Sequence, residues 1–380
     1  MTTFFHVGDS LHSPEMRHEI AEAAFDPVLF LELEGKRIIA CGPFEVEIFE
    51  VREDILDEVV SFETLGINEI VKDESIPEHL MQAELAARML KHFGAQTVSV
   101  PSTFPIVIAD YLREKGSEVV ADGAVWARRR RRKTPWEIEG IERAQRAADT
   151  AMLTAARMLR EAEKTPQGTL RFEGEILTAG LIRETMEKEL LTQGTESQQI
   201  LVHSGDACLK GHDIGSGPIL PDTSCIIDCF PRDLTTGAWS DMTRTFVPGE
   251  PSEELQNLYG HVRKALDVAF DSLKPGTKDA FTRVAEYFDS AGFPTQLNHT
   301  GDGLPKEGFM HALGHGVGLE VHERPWMGRR ADELIVGDVV AVEPGLYFSG
   351  VGGVRLEDTV LVTDDGIEHL TDPFPYDLEP

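Results

Sequence analysis

A chain of 380 residues is too long for one ordinary core, so two domains are expected. Its 41% hydrophobic and 27% charged residues are those of a globular protein, and 66 acids against 36 bases leave a net charge of −30. That field repels phosphate backbones and anionic lipid surfaces, which argues against nucleic acid and membrane as partners. No window approaches the roughly 18 apolar residues needed to span a bilayer. The start, MTTFFHVGDS, has no basic segment followed by an apolar run, so a cytoplasmic location is expected. The four cysteines, at 41, 208, 225 and 229, have no framework spacing and read as buried free thiols. A zinc site at Cys225 and Cys229 is weakly supported, because no second Cys/His pair stands at finger-like spacing.

In chain order, the first stretch alternates strands and helices. Glu15–Ala24 has a short helical pattern, and Val28–Leu33 with Arg37–Ala40 flank Glu34-Gly35 as a hairpin. His79–Phe93 repeats apolar residues at helical spacing and stops at Gly94. Val98–Val100, a helix over Ile106–Lys115 and Val119–Val120 complete an α/β unit that gathers no obvious chemistry. Arg128–Lys133 is a run of six bases, read as a solvated segment at a domain boundary that pairs with nearby acids. The domains are therefore expected at 1–130 and 131–380.

Thr134-Pro135 opens a long helix, with threonine as cap, proline in the first turn and acids at the positive end of the dipole. Further helices are expected at Glu173–Leu191, Ser252–Leu273 and Lys278–Ala291. Between them lie apolar strands that carry acids. Ser224–Asp228 ends in Asp228, a turn-rich loop follows, and Ala238–Phe246 returns with Asp241. Gly337–Tyr347 brings Glu343, and Gly353–Val362 brings Glu357. His311–Pro325, HALGHGVGLEVHERP, sets His311, His315 and His322 on a backbone stripped by glycine, open to close approach.

An acid on an apolar strand is costly to desolvate without a partner. Four such carboxylates beside one imidazole call for cations, and two divalent ions balance four negative charges. Oxygen-rich ligands with one histidine suit Mn²⁺, Co²⁺, Fe²⁺ or Zn²⁺, with manganese or cobalt expected first. A metal pair about 3.5–4 Å apart acidifies water and polarises a carbonyl, a template for hydrolysis.

The segments DCFPRDLTTGAWSDMTRT, HALGHGVGLEVHERP, VEPGLY and VRLED, in this order, resemble the motifs of the pita-bread metallopeptidases, which include methionine aminopeptidase, aminopeptidase P and Xaa-Pro dipeptidase. The resemblance implies an α+β protein: a C-terminal pita-bread fold, as in creatinase and the aminopeptidases, with a smaller N-terminal α/β domain of the creatinase and prolidase type. It implies Asp228, Asp241, His315, Glu343 and Glu357 as ligands of two divalent metal ions, with Glu343 also as proton shuttle. His322 matches the histidine at the substrate carbonyl, and His212 resembles, more loosely, the one near the scissile nitrogen. Arg355 and Tyr347 match residues that interact with the first aspartate. His311 and the N-terminal unit favour the Xaa-Pro peptidases over methionine aminopeptidase. The implied reaction is cleavage of an Xaa-Pro bond by a metal-activated hydroxide, on a small peptide with proline at its second position. Such relatives are often homodimers.

The two family aspartates commonly stand eleven apart, whereas Asp228 and Asp241 are thirteen apart. An even insertion leaves both on one sheet face; the alternative, Asp233, sits among turn residues. Another C–N hydrolase or lyase on this fold, of the creatinase or ectoine-hydrolase type, and a non-catalytic binding module are the competing readings. His203, His261, His299 and His369 read as surface or strand-end residues. Asp206 and Asp213 are candidates to line the pocket and hold a substrate α-amine.

Overall fold

The computed structural model describes residues 2–211 and 213–380, which form two compact units, Met1–Arg130 and Arg131–Pro380.

The first unit is built on a six-stranded mixed sheet. Strand Phe4–Gly8 lies antiparallel to Val28–Leu33, which pairs antiparallel with Lys36–Cys41. Glu58–Ser61, Thr97–Val100 and Glu118–Ala121 add parallel partners on both sides. The hairpin turns at Glu34 and Gly35 as expected, both with positive φ. The first helix is shorter than its pattern, Pro14–Ile20, because Ala21 adopts the left-handed conformation and ends it. A longer helix, Met81–Phe93, stops at Gly94 with φ 70°. Phe5, Leu29, Leu31, Met89 and Leu112 centre the core.

The second unit opens with the helix Pro135–Glu161, whose start is fixed by reciprocal hydrogen bonds between Thr134 and Glu137. The helix expected over Glu173–Leu191 instead runs Ala179–Thr192. Glu173 and Gly174, with φ of 49° and 90°, turn a small hairpin between Leu170–Phe172 and Glu175–Ile176, so helix cannot begin before Thr178 caps it. Helices Glu253–Ser272 and Ala280–Ser290 follow near their expected positions.

One antiparallel sheet joins Ile200–Ser204, Cys225–Cys229 and Met242–Phe246. A second runs Glu323–Met327, Gly314–Gly316, Val339–Val342, Asp358–Val362 and Ile367–His369. The isolated bridge Thr243↔Glu357 links them. Three expected strands differ: Gly337–Tyr347 is split into Val339–Val342 and Gly345–Phe348, in different sheets, with Glu343 between them. Ala238–Asp241 belongs to the loop before Met242, and Glu357 stands between the strands Gly352–Arg355 and Asp358–Val362 rather than inside one.

The basic run is not a solvated segment. Arg129 is clasped by Glu19 and Glu32, Arg131 by Asp338, and Lys133 is buried against Glu323; only Arg128 and Arg132 are exposed. All four cysteines are free and buried.

Candidate metal centre

Strand register explains why distant acids meet. Asp228 pairs with Thr243, Thr243 bridges to Glu357, and continuation of the Val342↔Asp358 pairing sets Glu357 opposite Glu343. Two residues along, Asp241 stands beside Thr359, which pairs with Ala341, which pairs with His315. Side chains alternate with period two, so both rows present their groups to one face. A Cβ at Gly314 would lie 2.0 Å from the Ala341 carbonyl, so only glycine lets the His315 strand close onto its neighbour.

Asp241, His315 and Glu357, all buried, each offer a ligand atom within 4.8 Å of the others. His315 Nε2 lies 3.6 Å from Asp241 Oδ2 and 4.0 Å from Glu343 Oε1. Its Nδ1–H donates to the Gly316 carbonyl at 3.1 Å, so the Nε2 lone pair faces the acids. Asp228 reaches the same cavity, with Oδ2 accepting from Arg355 Nη2 at 2.5 Å. Asp233, the alternative, turns away and accepts from Arg143 at 2.9 and 3.1 Å.

A chain of polar contacts continues from Arg355. Its Nη1 donates to the Tyr347 hydroxyl at 3.1 Å, and that hydroxyl lies 3.0 Å from His311 Nε2. His311 Nδ1–H donates to the Ala312 carbonyl at 2.7 Å, so Nε2 accepts from Tyr347. Burial pushes the Tyr347 phenol up to about 12, which keeps that proton in place.

The electrostatics are those of an under-neutralised acid cluster. Burial, with added repulsion from neighbouring acids, holds the Asp241 and Glu357 carboxyls well above the usual carboxylate range. Burial pushes Glu343 up to about 7, opposed by Arg355 and reinforced by Asp228. Burial and nearby His322 bring His315 down to about 3, so it is a neutral nitrogen donor at neutral pH. Among the described residues, Asp228 Oδ1 and Asp241 Oδ1 are buried without a hydrogen-bond partner. Orphaned carboxylate oxygens beside a neutral imidazole are the donor set of a divalent cation, and the residues fit one.

The centre opens into a cavity of about 610 Å³, walled by Leu201, Leu209, Phe230, Met310, Val321 and Trp326. His311 and His322 stand on its wall, the His322 ring meeting the edge of His315 at 4.2 Å. His212 lies outside the described residues. Asp206 and Asp213 do not line the cavity: each accepts a nearby backbone N–H, from Gly350 and Gly215, at 2.8 Å. His203 is fully buried close to its strand's end and held by the Asp213 carbonyl at 2.5 Å. His261 bonds the Tyr287 hydroxyl, His299 is exposed and His369 ends a strand.

Thr243 and Thr359 were not singled out from the sequence. Thr243 Oγ1 donates to Glu357 Oε2 at 2.6 Å and accepts from Arg355 Nε at 3.2 Å, while Thr359 bonds both backbone groups of Asp241. A signal was available: each threonine stands two residues after an acid on an alternating strand, hence on the same face.

Residues 139–364 match metallopeptidase family M24 over more than half of the chain. The chain belongs to metallopeptidase family M24. Among family M24 relatives, it is 31% identical over 248 residues to a Xaa-Pro dipeptidase of Pyrococcus furiosus, covering 63% of this chain and 62% of that protein. It is 30% identical over 299 residues to the Xaa-Pro dipeptidase of Pyrococcus horikoshii, covering 73% and 74%. The first match thus spans somewhat less than two thirds of the relative's length.

Solved structures extend the likeness of fold across both units. The prolidase from Pyrococcus furiosus superposes with a TM-score of 0.71 at 24% identity, covering 98% of this chain and 97% of that one. An X-Pro aminopeptidase from Thermotoga maritima gives 0.77 at 20% identity, covering 99% and 97%. The architecture is therefore the α+β pita-bread fold of family M24, and membership implies divalent metal ions.

Proposed function

We propose that the chain is a metal-dependent peptidase that hydrolyses Xaa-Pro bonds in small peptides with proline at the second position. The observation that carries this reading is the convergence of Asp241, His315 and Glu357 ligand atoms within 4.8 Å, beside buried Asp228 and Asp241 oxygens that have no hydrogen-bond partner among the described residues. The Xaa-Pro dipeptidases among its relatives support the substrate class.

In this reading Asp228, Asp241, His315, Glu343 and Glu357 hold two divalent ions, Mn²⁺ or Co²⁺ before Zn²⁺ or Fe²⁺. When bound, the ions acidify a water molecule and polarise the scissile carbonyl. Glu343, which keeps 20% side-chain exposure to the cavity, takes the proton released in the attack and delivers it to the departing proline nitrogen. His322 donates to the carbonyl oxygen as charge builds there. Arg355, steadied by Tyr347 and His311, keeps Asp228 aimed. The N-terminal unit is the creatinase- and prolidase-like domain, and the enzyme works as a cytoplasmic homodimer. In support of a non-membrane setting, no helix among the described residues is long and apolar enough to cross a bilayer.

The test is hydrolysis of Xaa-Pro dipeptides and Xaa-Pro-Yaa peptides by purified protein with added Mn²⁺ or Co²⁺, alongside elemental analysis. Release of proline from dipeptides alone marks a dipeptidase, and release of the first residue from longer peptides an aminopeptidase. Undiminished activity in metal-free protein would overturn the reading.

A further inference from the structure

His322 stands on a loop, residues 317–322, that leaves the sheet at Gly316 and returns at Glu323, and these two residues pair across the ladder. The loop is fixed from beneath by the start of the helix Pro135–Glu161. Val317, Leu319 and Val321 pack with Trp136, Ile138 and Ile141 in one apolar cluster. Trp239 N–H donates to the Gly318 carbonyl at 2.7 Å. At the loop's return, the Glu323 carboxylate and the Lys133 ammonium form an ion pair, with side chains 5% and 1% exposed.

The backbone folds directly over that pair. A Cβ at Gly318 would lie 2.7 Å from Lys133 Nζ and 2.8 Å from Glu323 Oε1, so the loop backbone runs directly against the charges. Lys133 immediately precedes Thr134, the doubly bonded cap of the long helix, so its backbone is anchored at the helix start. Burying two opposite charges costs desolvation that a well-packed apolar pair would avoid, so the pair is not explained by stability alone. What it does accomplish is geometric: it pins the residue next to His322 to a rigid helix start.

We propose that Lys133 and Glu323 are positioning residues for His322. Loss of the ion pair frees the Glu323 carboxylate from the helix start, the strand start turns with it, and the neighbouring imidazole leaves its place against His315. This rests on the peptidase reading, in which His322 meets the substrate carbonyl.

Lys133→Met keeps an unbranched side chain, one atom shorter, and removes its charge. In metal-saturated protein kcat should fall on the order of 100-fold, the loss expected when a reacting geometry shifts by about an ångström. KM and metal content should stay near wild type. In a His322→Ala background the same change should cost nothing further, since it acts through a ring already absent. Glu323→Gln should give a smaller loss in the same direction, and it replaces Lys133→Met should that variant not fold. The imidazole resonance of His322, assigned by its loss in His322→Ala, should shift or broaden in Lys133→Met. An unmoved resonance, an unchanged kcat, or a kcat loss that multiplies undiminished with His322→Ala would each overturn the positioning role. A wild type that cleaves no Xaa-Pro peptide would instead count against the peptidase reading. The resonance would then decide positioning alone, displaced for it and unmoved against it.

Discussion

Arg355 Nη2 donates to Asp228 Oδ2 at 2.5 Å while the other oxygen of that carboxylate, buried as well, has no hydrogen-bond partner among the described residues. One oxygen is thus aimed by a cation and the other is left for a ligand. Arg355 is itself held on three sides, by Asp228, the Tyr347 hydroxyl and Thr243 Oγ1. Arg355→Met should therefore keep the fold but let Asp228 turn, weakening divalent-metal affinity by roughly 10–100-fold. Calorimetric titration with Mn²⁺ reads this directly, and affinity equal to wild type would refute it.

Crowded acids give a second expectation. Asp241, His315 and Glu357 are buried with ligand atoms within 4.8 Å, and Asp241 Oδ1 is unpartnered. Removing a carboxylate should abolish metal retention and activity together, yet relieve repulsion in the metal-free protein. Asp241→Asn should thus be inactive and retain less metal. In chelator its thermal stability should exceed wild type by on the order of 1 kcal/mol, the scale of one buried unsatisfied group. Thermal unfolding with and without chelator separates the two effects, because bound metal stabilises only the protein that holds it. A metal-free variant less stable than metal-free wild type would contradict this.

These side chains show what could be read from the chain beforehand. Acids at the ends of apolar strands stand out because each breaks a hydrophobic pattern, and Asp228, Asp241 and Glu343 did so. Period two then set Asp228 and Asp241 on one face despite the longer loop, and the ladder has Asp228 opposite Thr243, two residues from Asp241. The pairing of Thr243 with Glu357 was not legible, because it joins two sheets through an isolated bridge that no local pattern encodes.

The basic run was misread for a related reason. Six consecutive bases suggest solvent when composition is considered alone, but their partners are Glu19, Glu32, Glu323 and Asp338, remote in sequence from most of the run. Burial of a charge is decided by what folds against it. Likewise, the helix expected from Glu173 failed because a glycine turn outweighed apolar spacing.

Arg244 lies directly behind the centre and yields a third prediction. It is fully buried, and its guanidinium donates to the carbonyls of Thr243, Glu357, Phe374 and Pro375 and to Asp358 Oδ1. The segment Phe374–Tyr376 therefore straps the backbone of Glu357 from below. Arg244→Met should destabilise by about 3–5 kcal/mol, since it removes the cationic partner of the buried Asp358 carboxylate and leaves it only the Tyr376 hydroxyl. Truncation after Pro373 should destabilise too, and the two losses should be less than additive because they remove the same contacts. Urea unfolding of the single and combined variants checks it; full additivity would mean that tail and arginine act independently.

His6 supplies a pH dependence remote from the centre. It is buried in the strand Phe4–Gly8, between the rings of Phe104 and Trp126, with Nε2 2.7 Å from Ser13 Oγ and Nδ1 without a partner. Burial lowers it from 6.5 to about 4, against the opposing pull of Glu15 and Glu19. The unfolded chain thus takes up a proton below about 6.5 that the native unit refuses until about 4. Stability from this residue is complete above pH 6.5 and is lost as pH falls from 6.5 towards 4. The loss reaches on the order of 3 kcal/mol, at 1.36 kcal/mol per unit. His6→Phe removes the titration, so the difference in amide-exchange protection of Phe4–Gly8 between wild type and variant should shrink through that window. Comparison at equal pH cancels both intrinsic exchange and the titrations the two proteins share. A difference that stays constant from pH 7 to pH 4 would show that His6 does not titrate with folding.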